Sequence, residues 1–468
     1  MKHAYLIPIL TILISLLPTG CIEDSISTSS ADQPTFSTDT LMMGQVFTLD
    51  ASPTKRFTVY NRHDKVISIS SISLRDDDDN LFRLNVDGVS ARSFSNVEIR
   101  PNDSIYVFVE ATLPENASAG IVAVNRHLDF VTNGVSQTVV LNIEGQNVVR
   151  CNNLTISADT YWTTDSPYQI FDTLRIAQGA TLTLQPGTTI HFHDKAAMKI
   201  EGRLVSNGTA DNNVNLIGDR TGNVAASIPY ELMSGQWGGL YFGANSTGNL
   251  LQYTSIRNSV DGLVFTPASA DNVTARIVNC QIRNTQGYII DAYHANLQLI
   301  GCELADASSG ILHLVGGCHT INHCTIANYY LFTALGGPAI QFEHINSDND
   351  DASGLPYISA EITNTIIYGN GSELSHGDLT GTNVYLRRCL LRSEGSDDDN
   401  FINCIWGEDP LYYTVRNEYL FDYRLKDESP AISASDPTLD DASYTCDRYG
   451  LTLHNPADLG AYVYTPAQ

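Results

Sequence analysis

Val278-Asn279-Cys280-Gln281-Ile282, Ile300-Gly301-Cys302-Glu303-Leu304 and Asn322-His323-Cys324-Thr325-Ile326 repeat one frame, with cysteines 22 residues apart. A short period carried by strand-like pieces rather than helices is the mark of a solenoid whose rungs stack. In each frame the apolar residue two places after the cysteine, Ile282, Leu304 or Ile326, points into the coil. The frame continues more loosely at Ile367 and at Leu391 beside Cys389, with insertions absorbing the extra length. The largest insertion, residues 344–357, is polar and rich in turn formers, so it projects from the wall.

Outward from this stretch, the run 176–220 shows pieces of four to six residues that alternate apolar with polar and are broken by Gly, Pro, Asn and Asp. Strands of period two joined by tight corners give a three-sided coil, with rungs about 4.8 Å apart. The fold class is therefore all-β, a right-handed parallel β-helix over 149–468 with a C-terminal cap and a clear strand run from Thr173. Before it, residues 36–148 carry about seven short alternating segments between turn signals such as Asp87-Gly88 and Asn133-Gly134, as a small β-sandwich requires. Residues 1–20 have a basic start, an apolar run over 6–18 and a small-residue exit, the pattern of a secretory signal, too short to span a membrane. Residues 21–35 form a polar, Ser-rich tether.

The segments QGATLTLQPGTTIHF, EGRLVSNGT and QWGGLYFG, with the closing DYRLKDESPAISASDP and DLGAYVY, resemble those of right-handed parallel β-helix lipoproteins of Bacteroidota. Residues 36–148 resemble the immunoglobulin-like modules that precede such domains. LLPTGC resembles a lipobox, which implies acylation at Cys21, anchorage in the outer membrane, and a periplasmic or cell-surface location. The family supplies a shape rather than a substrate, and the immunoglobulin-like module is a spacer in it.

Charge narrows the partners. With 26 basic and 52 acidic residues the chain carries −26, which disfavours nucleic acid. Between Asn284 and Leu386 there is no Lys or Arg, which disfavours a polyuronate cleft over those rungs. Runs of aspartate at 76–79, 348–351 and 397–399 read as solvated turns rather than calcium loops. Cys318, His319, His323 and Cys324 are near neighbours, yet strand alternation sends His323 and Cys324 to opposite sides, so no metal is assigned. No cofactor motif occurs. The cysteine ladder is expected to be buried and reduced, with Cys318 and Cys324 the pair best suited to a bridge.

For chemistry, His294 beside Asp291, His313, and His344 beside Glu343 are candidate bases, and Asp291, Glu303 and Asp306 are candidate paired acids across rungs. Tyr288, Tyr293, Tyr329 and Tyr330 are candidate sugar-stacking aromatics. No nucleophile elbow, Walker loop or HExxH helix is present. These missing signals favour a non-catalytic, membrane-anchored protein that binds glycan or another surface protein. The competing reading is a polysaccharide-active enzyme, a lyase or glycoside hydrolase. Two or more carboxyls converging beside aromatics would decide for the enzyme.

Overall fold

The computed structural model describes residues 25–117, 120–225, 228–267, 272–345 and 357–466. The chain divides into two compact units, residues 1–146 and 147–468. The signal segment, Cys21 and most of the 344–357 insertion lie outside the described residues.

The first unit is a β-sandwich. One sheet of five strands runs from Thr35–Phe36 to Val89–Ala91, and a second of six is centred on Val122–Thr132 and Val135–Gln146. Alternation decides the inner face: along Ser104–Ala111, Ile105, Val107, Val109 and Ala111 are buried and the residues between them are not. They meet Phe57, Ile69, Phe130 and Leu141 in a single core. Of the aspartates at 76–79, Asp77 alone is buried, and the others are exposed. Asp77 is buried beneath the backbone N–H of Leu81, which donates to it at 3.0 Å, and Asp79 pairs with Arg126 at 3.3 Å.

The second unit is a parallel β-helix, all strand and corner, with no α-helix among the described residues. Ten strands from Thr160–Trp162 to Phe401–Ile402 make the first face. Of the remaining strands, 18 form one sheet folded along a corner into two further faces, with Asn284 and Asp306 at positive φ beside that corner, and Asn223–Ala225 pairs separately with Ile228–Pro229. The second face includes Gln281–Thr285, Glu303–Ala307, Thr325–Asn328 and Ile366–Gly369; the third includes Ala197–Ile200, Leu240–Phe242, Tyr288–Tyr293, Gly310–Val315, Ile340–Glu343 and Leu374–Ser375. Register confirms the stacked column: Ile256, Ile282, Leu304, Ile326, Ile367 and Leu391 follow one another rung on rung. The first strand is Val149–Ile156, which pairs in parallel with Tyr168–Ile176, so the coil starts a rung ahead of Thr173.

The cysteine frame has a physical origin. Asn279, Gly301, His323, Arg388 and Asn403 all take positive φ and turn the chain from the first face to the second. Asn, Gly and, less often, other polar residues tolerate that conformation. The next residue, Cys280, Cys302, Cys324, Cys389 or Cys404, then enters the corner. The first four are fully buried, and all eight cysteines described are free thiols, Cys318 and Cys324 included. Burial pushes the Cys280 and Cys302 thiols up, out of reach of ionisation at neutral pH.

Residues 407–466 do not extend the coil. Tyr412, Tyr423, Leu425, Leu459 and Tyr462 lie over the outward side chains of the second face, packing on Ala305, Ala327, Ile366 and Leu390. Ala461–Tyr464 adds no rung: Ala461 donates its N–H to Thr325 Oγ1 at 3.0 Å, on the flank, and the last strand of the parallel ladder is Ile405–Trp406. Small outward residues such as Ala305 and Ala327 leave room for this tail, and lone hydrogen bonds replace a ladder.

Candidate active site

The third face keeps its outward residues at least partly open. From Arg175 and Lys199 through Tyr241, Val264, Asp291, His313 and Gln341 to Ser375, each stacks on the one before and none is buried. The titratable groups gather at three consecutive strands on this side.

His313 is the centre. Its Nδ1 donates to Asp291 Oδ1 at 2.8 Å, and its Nε2 lies 3.2 Å from Glu343 Oε1, an ion-pair contact not aligned as a hydrogen bond. The hydrogen bond to Asp291 raises the imidazole above its ordinary pKa; burial opposes this and Glu343 adds to it. The ring therefore holds its proton further toward neutral pH than a free histidine. Contacts to both ends of one imidazole place the two carboxyls within roughly 8 Å, and two rungs separate their strands by about 9.6 Å. Carboxyls that approach one imidazole from strands two rungs apart suit the wider spacing of inverting hydrolysis, roughly 6.5–9.5 Å, better than the roughly 5–5.5 Å of a retaining pair.

Aromatic and amide groups hold the cluster. Tyr288 stacks on His313 at 5.0 Å between ring centres, while Tyr293 meets it edge-on at 5.9 Å. The Tyr288 hydroxyl donates to Gln341 Oε1 at 3.0 Å, and Gln341 Nε2 donates to Glu343 Oε1 at 2.6 Å, so one relay fixes the glutamate. Gly310 makes the stacking feasible. At φ +149° it lies directly beside Tyr288 in register, and a Cβ there would fall 2.7 Å from the tyrosine ring. Burial, then the nearby Asp291, pushes the Tyr288 and Tyr293 hydroxyls up, so both remain neutral donors.

The structure redistributes the sequence candidates. His294 and His344 occupy corners with positive φ, nearly buried, with rings 5.2 Å apart, and their sequence neighbours Asp291 and Glu343 both turn to His313 instead. Asp291 does not approach Glu303 or Asp306: these lie on the second face, where Arg283 pairs with Asp306 at 3.1 Å and Glu303 at 3.5 Å. Tyr329 is packed against Tyr423 beneath the tail, and Tyr330 is 4 % exposed with its hydroxyl 2.6 Å from Ser234 Oγ; neither joins Tyr288 and Tyr293. Of the four-residue Cys/His group, Cys318 is exposed, His319 is buried against Gly316 O at 2.9 Å, and His323 pairs with Asp440 at 2.8 Å. Groups of three or more His, Cys, Asp or Glu placed to share an ion do not occur among the described residues. Gln341 escaped the sequence reading, since nothing but its place in the rung marks it.

No family model and no curated protein matches the chain. Among solved structures it is similar to a family 123 glycoside hydrolase from Clostridium perfringens (13 % identity, TM-score 0.19, 26 % of each chain). It is also similar to the catalytic unit of a GH87 α-1,3-glucanase from Streptomyces thermodiastaticus (13 %, 0.28, 72 % of this chain and 79 % of that). A third is the Agl-KA catalytic domain (11 %, 0.19, 76 % of each). The chain thus spans about a quarter of the first of these. TM-scores this low carry no argument about chemistry. The expectation of a non-catalytic binder, and with it the inclination against an enzyme, is nevertheless corrected, because the deciding feature is present: two carboxyls converge on one histidine beside two aromatic rings.

Proposed function

We propose that the protein is a glycan-hydrolysing enzyme acting on a neutral polysaccharide along the third face. The convergence of Asp291, His313 and Glu343 carries this reading. A pyranose lying over the His313 ring has one carboxyl on either side. Glu343, the more exposed at 48 % against 30 % for Asp291, receives a proton from His313 Nε2 and passes it to the glycosidic oxygen as the bond to the anomeric carbon breaks. Asp291 takes a proton from water whose oxygen forms the new bond to that carbon, and Nδ1–H of His313 keeps the aspartate aimed. The proton gained by Asp291 leaves to solvent and His313 Nε2 takes one up from solvent, so the site is restored with no net change in protons. Carboxylates on the face and no Lys or Arg from 284 to 386 suit an uncharged substrate. Tyr288 and Tyr293 supply the stacking surface.

The test is incubation with neutral polysaccharides, reading reducing ends and the anomeric form of the first product by NMR. Cleavage with inversion is the expected outcome, reduced about 10²–10⁴-fold in Glu343→Gln and Asp291→Asn. Unsaturated product ends would replace hydrolysis by elimination. Intact glycan across the panel would overturn the reading.

Export and anchorage belong to the same proposal. The LLPTGC segment supports lipid attachment at Cys21, with a Bacteroidota-type outer-membrane lipoprotein whose first unit serves as an immunoglobulin-like spacer. Cys21→Ser would then shift the protein from the membrane fraction to the soluble one; unchanged partition would refute it.

A further inference from the structure

Beyond the last strand of the third face, a hollow opens at the end of the coil. It encloses about 530 Å³ and is bordered by Leu374, His376, Arg392, Ser393, Phe401 and Trp406. Its position is set by register: Ser375 stacks directly on Gln341, the residue that holds Glu343. The strand that borders the hollow, Leu374–Ser375, therefore lies one rung, about 4.8 Å, beyond the strand of Glu343, while Trp406 follows Leu391 at the end of the coil and closes the hollow further along.

Its polar groups are arranged in advance. Glu373 accepts the backbone N–H of Ser393 at 2.8 Å and that of Arg392, and the Arg392 guanidinium donates to Gly369 O at 2.9 Å and Gly371 O at 2.7 Å. Glu373 and Arg392 are thus each held by backbone groups, so the hollow combines fixed charged groups at its corner with the aromatic rings of Phe401 and Trp406. Trp406 is only partly buried. Its indole Nε1 donates to Asp397 Oδ1 at 3.1 Å, Gly395 lies so close that a Cβ would fall 2.4 Å from the ring, and Phe401 flanks it at 5.3 Å. A fixed, half-exposed indole beside hydroxyls and an imidazole is suited to the apolar face and hydroxyl rim of a sugar.

We infer that this hollow at Trp406 is a subsite of the same cleft, binding a neutral pyranose unit of the glycan beyond the cleavage point and so setting the minimum chain length. The inference rests on the proposed hydrolase reading for its role, but binding is measured separately. Trp162 and Trp237 are 6 % and 0 % exposed, so quenching of tryptophan fluorescence by acrylamide reports Trp406. The probes are neutral gluco-oligosaccharide ladders, α-1,3-, β-1,3- and β-1,4-linked, from one to six units.

Saturable protection of Trp406 is expected with one ladder, tightening over the first three or four units, in the wild-type protein and in Glu343→Gln alike. Trp406→Phe should lose the signal and raise KM for long oligosaccharides up to roughly tenfold while kcat for the shortest cleaved one is unchanged. His376→Ala, at an exposed ring that contacts Gly377 O at 2.8 Å and lies 6.1 Å from the Phe401 ring, should weaken protection with little change in the melting temperature. Hydrolysis with no protection at Trp406 would overturn the subsite and spare the hydrolase; protection without hydrolysis would do the reverse. No protection with any ladder overturns the inference outright.

Discussion

The same rungs carry two ionic clusters on adjoining faces, and their fates differ. On the second face Arg283, Glu303 and Asp306 are 9 %, 2 % and 2 % exposed, sealed beneath the tail. Asp306 accepts from Arg283, from the Tyr423 hydroxyl at 2.6 Å and from the Tyr329 N–H at 3.1 Å; Glu303 accepts from Gln281, Arg283 and the Tyr462 hydroxyl. On the third face Asp291 and Glu343 each engage His313 through one oxygen and remain in reach of solvent. Similar side chains one corner apart thus become a structural lock in one place and a reactive group in the other. Cover makes the difference. A buried carboxylate with every site filled has nothing left to offer a substrate, while a half-open one does.

The largest effect that separates the two faces should come from Asp306→Ala. It leaves Arg283 buried with a lost partner, which costs about 3–5 kcal/mol in urea unfolding, while glycan cleavage per folded molecule is unaltered. Glu343→Ala should do the opposite: stability within about 1 kcal/mol of wild type, as for an exposed ion pair, and activity lost. If both variants lost activity and stability together, the division between lock and reactive site would be false.

A second contrast sets His313 against His319, which sit on neighbouring faces of one rung. His319 is fully enclosed, and burial drives its pKa down to about 4. The unfolded chain binds a proton at this ring near pH 6.5 and the folded one does not until about 4. Stability therefore falls as pH drops through that window, by about 3 kcal/mol at its full extent. His319→Gln should flatten that part of the wild-type stability profile. An identical acid slope in the variant would mean that other groups cause it.

Much of this was legible in the cysteines. Their interval of 22 is also the interval from Asp291 to His313, so the period that revealed the coil had already placed the aspartate over the histidine. Glu343 was hidden because 30 residues, not 22, separate it from His313; an excursion through Tyr329 to Gly337 intervenes before the next strand of that face begins at Ile340. Pairing His344 with Glu343 by adjacency failed for a related reason, since a corner residue at φ +59° no longer follows strand alternation. The tail was legible as a closing segment, but its place was not. Covering the second face depends on small outward residues and on hydroxyls reaching buried carboxylates, which no periodicity records.

The smallest effect is the most specific to the third face. Asp291→Asn keeps the shape of the residue and removes the charge that raises His313, so the imidazole titration followed by NMR should move down toward 6.5. Because the folded pKa is raised, the pairing stabilises the protein below the unfolded value and that contribution disappears as pH rises through the folded one. Any residual hydrolysis should then lose its alkaline limb at a lower pH than in wild type, in step with the titration. A His313 midpoint that stays where it was would mean that Asp291 does not govern this proton, and the third face would be reduced to Glu343 acting alone, without the opposed pair that inversion requires.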